Sequence, residues 1–371
     1  MDDNSERKAN LVCHYTVAEG LKGIIENRCI WATNVSFLND FSEYQHGVEV
    51  VREVIEKLDF ESEDLIKLGI EPTGLNRYIA RVVLTGFVMS QLEMRDHSPS
   101  TFVASFFDSD GESSGAIASD AGDVLEQWRG YSRDAPGFSI GFNKVLLKTR
   151  VSVDGRLTPG LAAMAEGCLY EADEKAALAA QILESLRSIL PTFLRDGITT
   201  FGKAFLSVPF AARAQKGDLR EDAIREGLKR LESLDKYDNF AQTLTRMFPD
   251  FLSKLMFFPA FMKHRAFRAE REWRILAFVT NPKVIRLRTT RSGFIPYVEV
   301  PISDPSVPSD LRPGIIKRIV IGPLGLVSDG QKENQIAAVK ALLRKNGIPE
   351  NGPDNPEGVV VESSRIPLRK C

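Results

Sequence analysis

Short apolar runs open and close this chain, while Leu and Ala repeating at three- and four-residue spacing fill its middle. Leu11 to Thr16 (LVCHYT), Ile30 to Val35 (IWATNV), Thr101 to Phe107 (TFVASFF) and Gly137 to Phe142 (GFSIGF, kept narrow by Gly141) read as strands in the first half. Strand signals resume at Arg274, then at Tyr297 to Val300, Ile315 to Ile321 and Val359 to Glu362. Thr16 with Glu19 three residues on predicts a capping box, starting a helix that buries Leu21, Ile24 and Ile25. Asn39, Asp40 and Glu43 are expected to open a long amphipathic helix through about Leu58, and Glu61 to His97 to hold one or two more. A last helix, Gln331 to Asn346, carries Ile336, Val339, Leu342 and Leu343 on one side and stops at Gly347. The Gly/Ser/Asp-rich stretch Asp108 to Gly122 reads as a surface loop suited to movement.

Strands from both ends and helices between them predict an α+β fold with a mostly helical insertion. The expected boundaries are 1–171 and 261–371 for the two parts of the α+β core and 172–260 for the insertion. A length of 371 residues agrees with two domains or one elaborated domain. A net charge of −2 removes any global field drawing the chain to nucleic acid or anionic membrane.

Cys13, Cys29, Cys168 and Cys371 are too widely spaced for a zinc framework and are expected to be reduced thiols. The polar, acidic start MDDNSERKAN lacks the layout of a signal peptide, and no run approaches the roughly 20 apolar residues of a membrane helix. A cytoplasmic protein without membrane contact is therefore expected. His14, His46, His97 and His264 show no paired spacing, so no metal is expected. Phosphate-binding GxxxxGK, dinucleotide GxGxxG, HExxH and GxSxG motifs are missing too.

Candidate chemistry gathers at Glu270 to Arg274 (EREWR), where two carboxylates precede the apolar run Ile275 to Val279. In a strand Glu272 lies beside Arg274, Glu270 joins the same row and Trp273 faces the core. That row is either a structural ion pair or the rim of an active site. His14 ends the first strand and would point toward a helix N-terminus, as a structural group or a ligand contact. Lys263 to Arg274 (KHRAFRAEREWR), with Arg265, Arg268 and Arg271, is either a solvated face or a phosphate seat. Trp128 and Arg129 combine an aromatic plate with a fork donor that could stack on a base or ring, although core packing is the favoured reading of Trp128.

HYT, IWATNVSFLND, SFF, QWRGY, GFSIGF, EREWR, IVIGP and SSRIPLR, in this order, resemble a widespread bacterial family catalogued as a domain of unknown function. The resemblance covers roughly Leu11 to Tyr170 and Phe261 to Arg369, with the helical middle outside it or variable. That family is in turn similar in layout to ADP-ribosyltransferases, including DarT-like toxins that modify DNA.

The resemblance implies a split mixed sheet flanked by helices and NAD as substrate. It further implies His14 holding ribose, Glu272 as catalytic carboxylate with Glu270 as first of the pair, and Ser105 on a middle strand. Tyr15 or Trp31 would pack on nicotinamide, beside Thr16, while Arg129, Arg268 and Arg274 would serve the diphosphate. Tyr15 departs from the Gly of many such enzymes, and no serine-threonine-serine strand is present.

The expected function is an NAD-dependent transferase modifying DNA, RNA or protein, as a toxin or phage-defence effector with a neutralising partner. Its rivals are a non-enzymatic nucleotide or nucleic-acid module using Arg265, Arg268 and Arg271, an NAD glycohydrolase, and a nuclease using Asp40, Glu43 and Glu272.

Overall fold

A computed structural model describes residues 10–38, 42–56, 65–66, 69–93, 101–109, 122–131, 137–151, 159–182, 197–198, 200–201, 221–233, 257–279, 281–290, 293–303, 314–323 and 329–366. Two compact units emerge: residues 1–39, 99–168 and 266–371 form the first, and 40–98 with 169–265 the second. The pattern had joined 40–98 to the strands. In space its helices group with the helical middle, because their apolar faces are buried there.

The first unit is a large, mostly antiparallel open sheet of ten strands. These are β1 (Leu11–Thr16), β2 (Cys29–Asn34), β3 (Thr101–Asp108), β4 (Phe138–Asn143), β5 (Leu161–Gly167), β6 (Glu272–Val279), β7 (Arg286–Thr290), β8 (Gly293–Pro301), β9 (Ile316–Ile321) and β10 (Val360–Ser363). The order runs β10-β9-β4-β1-β3-β2-β8-β7, with β6 on the other edge of β3 and β5 beyond it; among the described strands only β9 and β10 pair in parallel. Two strands escaped the sequence reading: β5 (LAAMAEG) has no β-branched residue, and β7 (RLRTT) is an exposed edge strand without an apolar row.

The alternation of each strand fixes two faces. Val12, Phe106, Ile140, Trp273, Ile275 and Ile319 occupy one, beneath α1 (Ala18–Asn27), α5 (Lys144–Val151) and α8 (Asp329–Lys345), which contribute Ile25, Leu147 and Leu343. On the opposite face Leu11, Cys13, Tyr15, Phe107 and Val320 enclose Trp128 of α4 (Leu125–Tyr131). Trp128 is thus a core residue, as its favoured reading had it, and stands on a helix rather than a turn. Its indole N–H donates to Asp123 at 2.7 Å, and Asp123 also accepts from the Ser364 hydroxyl at 2.6 Å and the Arg365 N–H at 2.8 Å. This buried carboxylate pins the SSRIPLR segment to the start of α4.

Two local expectations fail. No capping box forms, because Thr16 is still strand and Val17, without a side-chain cap bond, is the N-cap of α1. Glu270 does not join the row of Glu272: it ends a 3-10 turn (Arg265–Glu270), and Arg271 at φ 42° turns the chain before β6 starts.

In the second unit α2 (Ser42–Glu56) packs on the Phe258–Phe261 turn so closely that a Cβ at Gly47 would meet the Pro259 carbonyl oxygen at 2.1 Å. Likewise α3 (Gly74–Glu93) packs on α7 (Glu221–Glu232), where Gly227 clears Tyr78. The helix over 172–182, which we call α6, brings Lys175 Nζ within 3.1 Å of His46 Nε2. Asp40 and most of the 108–122 loop lie outside the described residues, as does the side chain of Glu43.

Candidate functional site

Within the first unit β3 shares one edge between two strands. Near its end Val12 and Cys13 of β1 pair with Asp108 and Phe107; near its start Thr33 and Asn34 of β2 pair with Val103 and Phe102. Between these two short ladders Ala104, Ser105 and Phe106 have no strand on that edge, so the sheet splits there. A part-buried carbonyl left without a strand partner by such a split needs a donor. His14 supplies it, Nδ1 lying 3.0 Å from the Ser105 carbonyl oxygen. A carbonyl only accepts, so the proton sits on Nδ1 and Nε2 is an acceptor. Burial lowers the His14 pKa, against the opposing hydrogen bond to Ser105, so the ring stays neutral at pH 7.

The split opens into a cleft of about 650 Å³, well within the range of small-molecule sites. His14, Thr16 and Glu19 line it from β1 and α1, Trp31 and Thr33 from β2, and Ser105 from β3. Arg288 and Thr290 of β7 complete the wall. Trp31, 37% exposed, leans on Tyr297 with ring centroids 4.5 Å apart, offering an aromatic surface to a ligand. At Gly20 a Cβ would lie 2.0 Å from the Thr16 hydroxyl, so the bare backbone of α1 forms this side of the cleft.

His14, Thr16, Trp31, Ser105 and Tyr15, which the sequence singled out, therefore meet around one cleft. Tyr15 is a buried core ring, edge-on to Trp128 at 4.8 Å and accepting from the Val124 N–H at 3.3 Å. Desolvation, reinforced by Cys13, raises its pKa far above the ordinary value. The phenol stays neutral and serves the wall rather than the chemistry.

Glu272 lies elsewhere. Phe107 pairs with Cys13 on one side and Glu272 on the other, so these three share a face, and His14 projects from the opposite one. Glu272 lines a separate cavity of about 20 Å³ with Glu270, and this cavity shares only Ser105 and Tyr15 with the cleft. Both oxygens of Glu272 are held by Arg274, whose Nε reaches Oε1 at 2.9 Å and Nη2 reaches Oε2 at 2.7 Å. Arg274 belongs to neither cavity lining, and neither do Arg129 and Arg268, which are exposed on α4 and the 265–270 turn. Arg271 lies over the Phe107 ring, and Arg265 pairs with Glu171 in the second unit.

Sequence reasoning missed Arg288 and Glu19 as cleft residues. Glu19 had been assigned to a cap, and Arg288 sits on the unread edge strand. A signal existed for the latter: the Arg-x-Arg alternation of Arg286 and Arg288 places both guanidiniums on one face. Among the described residues no cluster of metal-ligating side chains is present, and no helix is long and apolar enough to cross a membrane.

The QWRGY, GFSIGF and EREWR segments, which build α4, β4 and the start of β6, fall inside one recognisable stretch. Residues 127–275 match a family described as "Protein of unknown function (DUF2971)". The match to DUF2971 runs through the helical middle, which carries none of the quoted motifs, and stops short of β1, β2 and β7. No curated protein and no solved structure matched the chain.

Proposed function

We propose that this protein is an NAD-using enzyme of the ADP-ribosyltransferase type. The reading rests on one observation: β1 and β2 part from the same edge of β3, propped by His14, and the gap is a nucleotide-sized cleft. Neutral His14, its Nδ1 committed to Ser105, presents Nε2 as an acceptor for a ribose hydroxyl. Trp31 offers a face to a flat ring.

In the reaction the bond between nicotinamide nitrogen and ribose C1′ breaks, nicotinamide leaves as the neutral base, and a nucleophile on the acceptor or water takes C1′. A carboxylate stabilises the oxocarbenium-like state between. Glu272, the sequence's candidate, lies beyond the Ser105 and Tyr15 partition; Glu19 is the carboxylate in the cleft lining itself. The acceptor, whether DNA, RNA or protein, and a toxin or defence role with a neutralising partner, belong to the same proposal.

A second reading, a nucleotide-binding module without catalysis, is favoured by the engagement of both Glu272 oxygens with Arg274 outside the cleft. Incubation with NAD labelled in the adenylate, alone and with cell lysate, DNA or RNA, separates the two. Transfer of label, or nicotinamide release, lost in Glu272→Gln or Glu19→Gln supports the enzyme and identifies its carboxylate. NAD binding without turnover favours the module, and folded protein that does neither refutes both.

A further inference from the structure

We infer that Arg288 is the anion-recognition residue of the cleft and that it selects a ligand carrying a phosphate or diphosphate over a bare nucleoside. This rests on the reading of the cleft as a nucleotide site, but not on any catalysis there. The described strands of the sheet carry four arginines. Three have a carboxylate partner: Arg274 with Glu272 at 2.7 Å, Arg286 with Glu299 at 3.0 Å, and Arg318 with Glu362. Arg288 has none among the described residues. Its one hydrogen bond runs from Nη2 to the Thr33 hydroxyl oxygen at 3.1 Å, and its Nε is buried without any partner.

A guanidinium carries five N–H groups in a rigid plane, and leaving them unmatched in a half-buried wall is costly unless a ligand supplies acceptors. The register puts Arg288 where a ligand would meet it. Thr33 pairs with Tyr297 and Tyr297 with Arg286, so Thr33, Arg286 and Arg288 share the face on which Trp31 also lies. Thr33 accepts from Arg288, which leaves its own hydroxyl proton free to donate to the same anion. Glu19, the carboxylate in the lining, forms no ion pair with Arg288 and leaves the guanidinium for an external charge. A planar fork with a neighbouring hydroxyl suits two oxygens of one tetrahedral anion, or one from each phosphate of a diphosphate.

Titration calorimetry on the full chain tests this with NAD, ADP-ribose, adenosine and inorganic pyrophosphate, using wild type, Arg288→Gln, Arg288→Lys and Thr33→Val. In wild type NAD and ADP-ribose are expected to bind more tightly than adenosine. Arg288→Gln is expected to weaken NAD and ADP-ribose by roughly 10- to 100-fold, as for loss of a charge-assisted hydrogen bond, while adenosine is unchanged. Arg288→Lys should recover part of the loss, which a merely structural role would not show.

Undiminished binding of NAD, or of pyrophosphate, to Arg288→Gln overturns the inference and leaves the nucleotide cleft standing. Should NAD, ADP-ribose and adenosine all fail while pyrophosphate binds in an Arg288-dependent way, the nucleotide reading falls and the anion site stands. Absence of binding by all four ligands overturns both.

Discussion

Arg274→Met probes whether Glu272 is a structural anion or a free carboxylate. The pair is deeply buried, Arg274 at 5% exposure and Glu272 at 9%, and two charge-assisted bonds join it. Removing the guanidinium strands a carboxylate in the sheet, which costs about 3–5 kcal/mol for a broken buried pair. The adjoining cavity of about 20 Å³ has room for a water molecule beside Glu272, which moves the expectation to the lower end, about 3 kcal/mol. That is a factor of more than 100 in the folding equilibrium and roughly 6–12 °C in melting temperature for a unit of this size.

Urea unfolding followed by tryptophan fluorescence measures it as a lower midpoint at unchanged slope. The double variant Arg274→Met/Glu272→Met, which replaces both charges by apolar groups of similar length, should return to within about 1 kcal/mol of wild type. A single variant that loses less than about 1 kcal/mol, or a double variant less stable than the single, refutes the assignment of Arg274 as the group that makes a buried Glu272 tolerable.

Asp123→Ala leaves the Trp128 indole N–H, the Ser364 hydroxyl and the Arg365 N–H without their acceptor; a loss of about 2–4 kcal/mol is expected, with faster hydrogen exchange in residues 363–366. His14 has its pKa lowered by burial, so the unfolded chain takes up its proton first: stability is full above about pH 6.5 and falls as pH drops below that value. His14→Gln, whose amide can still donate to the Ser105 carbonyl, should flatten this decline by up to roughly 1.4 kcal/mol per pH unit, and an unchanged slope would exclude His14 as its source. Gly47→Ala drives a methyl into the Pro259 carbonyl oxygen, so a loss of about 1–3 kcal/mol or more is expected. Wild-type stability in calorimetry would show that this helix contact is looser than described.

Much of the fold was legible locally. The apolar runs LVCHYT, TFVASFF and GFSIGF marked β1, β3 and β4 to within a residue, because strands buried on both faces read as near-continuous apolar segments. The two-residue repeat of strand geometry put Glu272 beside Arg274 and Trp273 in the core. β5 and β7 escaped because a strand held by its neighbours, or left at an edge, needs no such pattern.

The site divided along the same line. That His14 stands at the end of a strand followed by a helix is a local fact, and the sequence determined it. Which carbonyl His14 would satisfy, that β1 and β2 would part on one edge of β3, and that Glu272 would face away from His14 were decided only when strands up to about 260 residues apart in the chain were brought into register. Arg288 shows the reason most plainly. Its neighbours in sequence say only that Arg286 and Arg288 would share one face of a strand, whereas its want of a carboxylate among the described residues and its place on the cleft wall belong to the sheet, whose pairings no local pattern encodes.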